Sequence, residues 1–323
     1  MKSNGEIFRY FTLVACATGS FVLAGVSKVA AGETDQYLTW GTTLRDSSAE
    51  LNAYLDAEIN RFLVKANRRT RPPACVEDLS VDLYLHLFEG LHASRIRNWL
   101  KTSPEVERFP SDDLSDWEYQ RMSIFRRPAF PYLLPMAQTI RVGDVYLGID
   151  KIGHMFGFGR RYFQIYQRAL AAGDSPDAAL DRVLRWGIQH ESNLVGKLVD
   201  GIFSHGDMEA NYQGFRLALA FSAGDGPLFY REKGAWRYRG GLDIRDYITP
   251  EMDESYNPNR YASWRGRRVN PILDACYKNA APPSRFRTYQ KNHQPSLSKS
   301  FVDAWFGQRA DASRDALARR DSR

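Results

Sequence analysis

Cysteine and histidine are scarce in this chain, which has 3 Cys and 6 His among 323 residues. Firm zinc sites usually draw on more of these residues at short, regular spacings, and no signature such as H-E-x-x-H occurs. No serine or cysteine stands in a recognisable nucleophile motif, and the chain contains no internal repeats. These absences argue against a familiar zinc enzyme, against covalent catalysis and against a repeat architecture.

Long hydrophobic runs are absent beyond the N-terminus. The one extended apolar run, from Tyr10 to Val26, is 17 residues long and carries no charge. A transmembrane helix needs about 20 apolar residues, so this run is short for a membrane span. No later segment has the length and hydrophobicity to cross a bilayer, and we therefore expect a soluble body.

The surroundings of that run are typical of a secretory signal. Lys2 and Arg9 precede it, and the small residues Val29, Ala30 and Ala31 follow it. This order of charge, apolar run and small residues predicts that residues 1–31 are a signal peptide removed on export. We expect a periplasmic or envelope-associated mature protein; an uncleaved N-terminal anchor, or lipid attachment near the start of the chain, is the alternative.

Acidic residues are few in the last part of the chain. The formal net charge is +6, and residues 278–323 alone hold ten Lys and Arg against four Asp. Because this excess lies at the end rather than on a folded face, a nucleic-acid partner is not predicted. Residues 278–323 are expected to be a basic, largely disordered tail that could touch an anionic membrane surface or a cell-wall polymer.

Two cysteines remain after signal removal, Cys75 and Cys276. An even number of cysteines in an oxidising compartment permits one disulfide. A Cys75–Cys276 bridge is therefore predicted, with two buried free thiols as the alternative.

Hydrophobic periodicity predicts a mainly α fold. Residues 32–277 are expected to form one packed helical domain, beginning with helices over 49–67 and 76–100. Thr139 to Leu147 has the pattern of a small β-hairpin. Residues 222–276 lack clear periodicity and are rich in Gly, Tyr, Trp and Pro, so they are expected to form an irregular aromatic-rich wrap.

The predicted core of the domain is a unit of three helices over residues 150–221. Helical patterns cover 150–172 and 176–199, and a third helix begins at Ser204. Asp150 and His154 are four residues apart, as are Asp207 and Asn211, and such pairs share one helix face.

Buried polar groups need partners, because leaving one unpaired costs a few kcal/mol. The two pairs on the helices therefore predict one shared cluster. Glu191, on the intervening helix, is the fifth expected member.

Three interpretations of this cluster stay open. Asp150, His154, Glu191 and Asp207 could hold one divalent metal ion, since hard cations prefer oxygen ligands. His154, Glu191 and Asp207 could instead perform metal-free acid–base catalysis. The third interpretation is structural, and a histidine among apolar residues more often has this role. An open pocket would favour catalysis, whereas a sealed cluster would favour structure.

The polar segments also resemble a known pattern. The order Asp-Lys-x-Gly-His at 150–154, a glutamate at 191, and Asp-Gly-Ile-Phe-Ser-x-x-Asp-x-x-Ala-Asn-x-x-Gly at 200–214 is similar to the YfiM-type family of bacterial envelope proteins. More distantly it resembles VanZ-like membrane proteins, although this chain lacks their several transmembrane helices. The resemblance covers residues 148–220 only.

This resemblance implies a bacterial envelope location and a role for the five cluster residues, without a settled activity. The sequence therefore favours an exported envelope protein in which the cluster organises helices or a ligand. The alternative is a metal-dependent hydrolase that acts on a lipid or cell-wall component.

Overall fold

The computed structural model describes residues 32–88, 94–127, 136–193, 200–223 and 226–321, with side chains described except at 193 and 311–321. The predicted signal peptide lies outside these ranges. The described chain contains ten α-helices and a few short antiparallel strands, which confirms the mainly α fold class. Within the described residues, no helix has both the length and the hydrophobicity required to cross a membrane.

The N-terminal helices are α1 (Ser48–Asn67), α2 (Val76–Leu87), α3 (Arg95–Thr102) and α4 (Asp116–Met122). The prediction of one continuous helical stretch over 76–100 is wrong, because α2 ends at Leu87 and Phe88 forms a bridge with Ser94. The Ser94 side chain then accepts a hydrogen bond from the Arg97 amide at 3.2 Å and caps α3. A serine cap therefore divides the predicted helix.

The predicted hairpin is present and leads into the central helices. Strands β1 (Thr139–Val142) and β2 (Val145–Gly148) pair antiparallel, with Gly143 at a φ of 61° in the turn. The chain passes from β2 directly into α5 (Ile149–Ala171). Residue 150 is thereby fixed in the first turn of a helix that starts at the edge of a strand pair.

The three-helix unit consists of α5, α6 (Pro176–Asn193) and α7 (His205–Ser222). The predicted end of α6 near residue 199 lies outside the described residues. Helices α5 and α7 cross with their backbones in contact: a Cβ atom on Gly214 would lie 2.0 Å from the carbonyl oxygen of Met155. A Cβ on Gly159 would lie 2.7 Å from Gly214. Glycine at this crossing lets the polar groups of the two helices meet.

The segment predicted as an irregular wrap contains more regular structure than expected. It forms the hairpin β4 (Phe229–Glu232) and β5 (Ala235–Tyr238), and then helix α8 (Ser263–Cys276). Strand β3 (Ile202–Phe203) pairs with β6 (Arg260–Tyr261), which ties this segment to the start of α7. Two short 3-10 helices, Ile244–Tyr247 and Pro250–Met252, complete it.

The prediction of a largely disordered tail over 278–323 is corrected by two further helices, α9 (Arg285–Asn292) and α10 (Leu297–Asp321). Tyr289 and Val302 are each only 2 % exposed and anchor these helices on the body. The segment looked disordered because its few apolar residues are widely spaced among polar ones. Isolated apolar anchors are nevertheless enough to hold amphipathic helices on an existing core.

The predicted disulfide is also corrected, since Cys75 and Cys276 are both free and exposed. Cys75 caps the start of α2, where its sulfur accepts from the Asp78 amide at 3.5 Å. Cys276 ends α8, with its sulfur 3.8 Å from Nη2 of Arg126. The two thiols thus have different neighbours, and the buried-thiol alternative is wrong as well.

Candidate functional site

A buried lysine lies at the centre of the predicted polar cluster. Lys151 is 0 % exposed, and its Nζ donates to Asp150 Oδ2 at 2.7 Å and to Asp207 Oδ1 at 2.7 Å. The third acceptor is Glu254 Oε1, at 2.6 Å. An ammonium group has three donors, so each N–H has one carboxylate partner. We call these four residues the Lys151 cluster.

Each carboxylate of the Lys151 cluster is positioned by a different element. Asp150 is in the first turn of α5, Asp207 is in the first turn of α7, and Glu254 follows the 3-10 helix Pro250–Met252. Ser204 caps α7 by accepting from the Asp207 amide at 3.0 Å, and its hydroxyl donates to Glu254 Oε1 at 2.7 Å. Three separate parts of the chain therefore meet at one ammonium group.

His154 lies one turn along α5 and joins the same group. Its Nδ1 is 3.1 Å from Asn211 Oδ1, and its Nε2 is 3.4 Å from Asp207 Oδ2 without hydrogen-bond geometry. The imidazole also stacks on Phe158, with ring centroids 5.1 Å apart. The i, i+4 pairs of α5 and α7 therefore do converge, through the contacts of His154 with Asp207 and Asn211.

Glu191 is linked to the cluster indirectly, through Ser204. Its Oε1 accepts a hydrogen bond from the backbone amide of Ser204 at 3.1 Å, at the N-terminus of α7. Burial, and secondly the charge of Asp207, raise the pKa of Glu191 well above its usual range. Its carboxyl group thus favours the protonated form, unlike a carboxylate paired with lysine.

Charge balance in the cluster follows from these contacts. Burial alone would lower the pKa of Lys151, but the attraction of Asp150, Asp207 and Glu254 outweighs it and raises that pKa well above the usual value. Burial would likewise raise the pKa of Asp150, yet the charge and hydrogen bond of Lys151 hold it below the usual value. Burial leaves the pKa of Glu254 raised, although Lys151 opposes the shift. Lys151 is therefore held as the ammonium ion.

Two glycines make room for the polar groups of α5. A Cβ atom on Gly148 would lie 1.9 Å from Asp150 Oδ1, and one on Gly153 would lie 2.8 Å from Cδ of Arg97. Larger residues at these positions would displace the carboxylate or the arginine. The glycine within the Asp-Lys-x-Gly-His segment therefore has a steric role beside the cluster.

Sequence reasoning missed two central members, Lys151 as the hub and Glu254 as its third acceptor. Lys151 lies in the sequence Ile-Asp-Lys-Ile at 149–152, and the two isoleucines were the one sequence signal that the lysine is buried. Glu254 falls within an acidic stretch, 243–257, whose lack of periodicity gave no indication of which way its side chains point.

The described residues provide no group of three or more His, Cys, Asp or Glu side chains arranged to hold a metal ion. The carboxylates proposed as ligands, Asp150 and Asp207, already face the ammonium group of Lys151 at 2.7 Å. A divalent cation placed among them would meet a like charge at close range. The geometry therefore fits an internal ion-pair cluster better than a metal centre.

Three pockets lined by described residues lie away from the Lys151 cluster. One lies between the C-terminal end of α7 and the 3-10 helix Ile244–Tyr247, one between the start of α7 and α10, and one against the outer face of α8. Among the cluster residues and those joined to it, Asp207 is the most exposed, at 7 %. The polar groups are thus nearly closed to solvent.

No family model, curated protein or solved structure matches the chain. The interpretation of the site therefore depends on its own geometry and chemistry.

Proposed function

We propose that the protein is an exported envelope protein in which the Lys151 cluster organises the helices and performs no reaction. The observation that carries this proposal is the complete burial of Lys151 with its three N–H donors committed to three carboxylates at 2.6–2.7 Å. A lysine that must contact a substrate cannot keep all of its donors occupied by fixed partners. The export half of the proposal is supported by the composition of residues 1–31.

Chemical labelling of histidines tests the structural role. Diethyl pyrocarbonate reacts with accessible imidazole nitrogens, and His154 is only 3 % exposed. In the native protein we expect His154 to stay unmodified, whereas it should react once the chain is unfolded in urea. Modification of native His154 at the rate seen in the unfolded chain would show an open site and overturn the structural role.

A metal screen provides an independent check. Mg²⁺, Mn²⁺ and Zn²⁺ should leave the melting temperature unchanged, because an ion that binds only the folded state would raise it. Stabilisation by one of these ions that disappears in both Asp150→Asn and Asp207→Asn would instead assign a metal site. Asp303→Asn, on an exposed face of α10, is the matched control.

Location is tested separately. The protein from its native host should be found outside the cytoplasm, with a mature N-terminus at or near Gly32 by mass spectrometry. A cytosolic protein that retains Met1 would contradict export while leaving the structural role of the cluster intact.

A second candidate function is a hydrolase that acts on a lipid or cell-wall component. One observation favours it: Nε2 of His154 is buried without a hydrogen-bond partner among the described residues, beside Asp207, whose charge also raises the pKa of Glu191. An imidazole nitrogen in this position could accept a proton from a water or a hydroxyl group. Labelling of native His154, together with hydrolysis that is lost in His154→Gln, would favour this candidate over the structural one.

A further inference from the structure

Arg97, on α3, is a buried cation without an acceptor among the described residues. It is 8 % exposed, and its Nε is buried without a hydrogen-bond partner. None of the ion pairs formed among the described residues includes Arg97. An arginine buried in this way is costly unless an anion or another acceptor meets it, because its charge has lost water without gaining a partner.

The nearest acidic group forms no hydrogen bond or ion pair with Arg97. Asp150 lies within electrostatic range of the guanidinium, and its charge partly offsets the effect of burial, which lowers the pKa of Arg97. Both carboxylate oxygens of Asp150 are already occupied, Oδ1 by the hydroxyl of Thr34 at 2.6 Å and Oδ2 by Lys151 at 2.7 Å. The Lys151 cluster therefore leaves the positive charge of Arg97 without a dedicated partner.

The position of Arg97 is built into the packing of α5. The stem of Arg97 passes over Gly153, where a Cβ atom would lie only 2.8 Å from Cδ. The ring of Phe88 covers the next turn, at 2.9 Å from a Cβ built on Gly157. The absence of Cβ atoms at two glycines on one face of α5 thus leaves the space that the arginine stem and the adjacent ring occupy. A guanidinium fixed in advance loses little freedom when an anion binds.

A second cation lies one turn further along α3. Lys101 is four residues from Arg97, on the same helix face, and is exposed. Partial burial of its ammonium group, and then the charge of Arg97, lower the pKa of Lys101, while Asp116 and Asp150 act in the opposite direction. Lys101 also forms no ion pair with a described residue. Helix α3 therefore carries one buried and one exposed positive charge on the same face.

We propose that Arg97 and Lys101 form a binding site for a phosphate group. The planar fork of arginine binds phosphate oxygens in a bidentate manner, and lysine adds a point charge that can follow the anion. Two cations suit a group that carries up to two negative charges. Inorganic phosphate, a soluble phosphate ester and the headgroup of an anionic phospholipid share this chemistry.

Calorimetric titration of the full chain with inorganic phosphate and with glycerol phosphate tests the site. Flotation with phosphatidylglycerol vesicles, compared with phosphatidylcholine vesicles, tests the lipid source. We expect Arg97→Met to weaken binding at least tenfold and Lys101→Met to weaken it by a smaller factor. Arg95→Met is the matched control, because it removes the same charge from an exposed position of the same helix and should leave binding unchanged.

The results distinguish a soluble phosphate ligand from a lipid headgroup, and both from the absence of a phosphate site. Binding of the soluble phosphates assigns a soluble ligand, and binding of phosphatidylglycerol vesicles alone assigns a headgroup. No binding in any arm overturns the site, as does an equal loss in Arg95→Met and Lys101→Met, which would indicate attraction to net charge only. If Arg97→Met does not fold, Arg97→Lys should retain part of the affinity, and the exposed Lys101→Met still decides the outcome.

Discussion

Helix α7 carries two buried acidic centres that are neutralised in different ways. Asp207 belongs to the Lys151 cluster and faces an ammonium ion at 2.7 Å. Glu209, two residues later, accepts hydrogen bonds from neutral donors on Gln213, Thr249 and Ser296. We call this second group the Glu209 cluster. The same helix thus buries one carboxylate with a cation and another without one.

The difference has a physical consequence. A carboxylate that faces a buried ammonium ion keeps its charge, and breaking the pair strands the remaining charges in a low-dielectric interior. Neutral donors compensate a charge only in part, so burial still raises the pKa of Glu209, although the hydrogen bonds from Ser296, Gln213 and Thr249 oppose the shift. In the Glu209 cluster the carboxylate is therefore neutralised by a proton, whereas in the Lys151 cluster Asp207 is neutralised by the ammonium group of lysine.

Removal of the lysine should have the largest effect. Lys151→Met keeps much of the side-chain volume but leaves three carboxylates without their cation, and the cost of breaking a buried ion pair is about 3–5 kcal/mol. We expect this loss in the free energy of unfolding, measured by urea denaturation at neutral pH. Lys65→Met, on an exposed position of α1, is the matched control and should change stability by less than about 0.5 kcal/mol.

A loss in Lys151→Met no greater than that of the Lys65→Met control would mean that the cluster does not organise the fold. The proposed difference between the Lys151 and Glu209 clusters would then be wrong, because the lysine would contribute no more to the free energy of unfolding than a surface charge.

A larger residue at the α5–α7 crossing should have the next largest effect on stability. In Gly214→Ala the new methyl group would lie 2.0 Å from the backbone oxygen of Met155, so the helices must move apart. Overpacking of this kind typically costs about 1–3 kcal/mol. Both acidic centres lie on α7, and only the Lys151 cluster also draws on α5, so this variant should disturb the contacts of His154 more than those of Glu209.

Thermal unfolding measures the total loss, and the histidine NMR signals report the local effect. Gly307→Ala, in α10, is the matched control: a Cβ there meets nothing within 4 Å. It should stabilise the protein slightly, by about 0.5–1 kcal/mol, since alanine is the better helix former. Equal stability changes in the two glycine variants would contradict the close crossing.

The two centres also differ in how far the sequence predicted them. The pairing of Asp150 with His154 and of Asp207 with Asn211 followed from helical periodicity, which is a local property. Glu254 could not be placed in this way, because its segment has no period and reaches the cluster only through tertiary contacts. Lysine is so rarely buried that its position at the centre contradicted the ordinary expectation for its type.

Some elements of the fold were missed, or predicted only in part, for similar reasons. Helix α8 contains Gly266 and Pro271, which interrupt a helical pattern when the sequence is read alone. Helices α9 and α10 are largely polar and depend on Tyr289 and Val302 packing against residues far away in the chain. The sequence did not predict the Glu209 cluster for the same reason, since Thr249 and Ser296 come from the two segments without clear periodicity, 222–276 and 278–323.

The pH dependence of stability should distinguish the centres, with a smaller effect than the glycine variant. Because burial raises the pKa of Glu209 above its ordinary value of 4.5, the folded state holds this proton more tightly than the unfolded state. That contribution is present below pH 4.5 and is lost as pH rises through the folded pKa. Glu209→Gln keeps the shape without the titrating proton, so its stability should fall less between pH 4.5 and 7.

Urea denaturation at several pH values in this range provides the measurement. The slope should be reduced rather than abolished, because burial also raises the pKa of Asp35 to about 7 and that of Asp200 to about 6. Glu232→Gln, on the exposed hairpin β4–β5, should leave the slope unchanged. A slope in Glu209→Gln as steep as that of the unmodified protein would show that Glu209 does not depend on a proton.

The smallest expected effect lies where the Glu209 cluster meets the C-terminal helices. The hydroxyl of Ser296, just before α10, donates to Glu209 Oε2 and caps the helix by accepting from the Lys299 amide at 3.0 Å. Ser296→Ala removes both bonds, while Gln213 and Thr249 still serve Glu209 Oε1. With about 0.5–1.5 kcal/mol for the hydrogen bond and a similar amount for the cap, the global loss should be about 1–2 kcal/mol. The local effect should be clearer: hydrogen exchange should accelerate in the first turns of α10, over residues 297–310. Ser300→Ala, whose exposed hydroxyl bonds only to the Ser296 carbonyl, is the matched control. If the two serine variants exchange alike, neither the bond to Glu209 nor the cap at Lys299 anchors α10, and the helix depends on apolar contacts such as that of Val302.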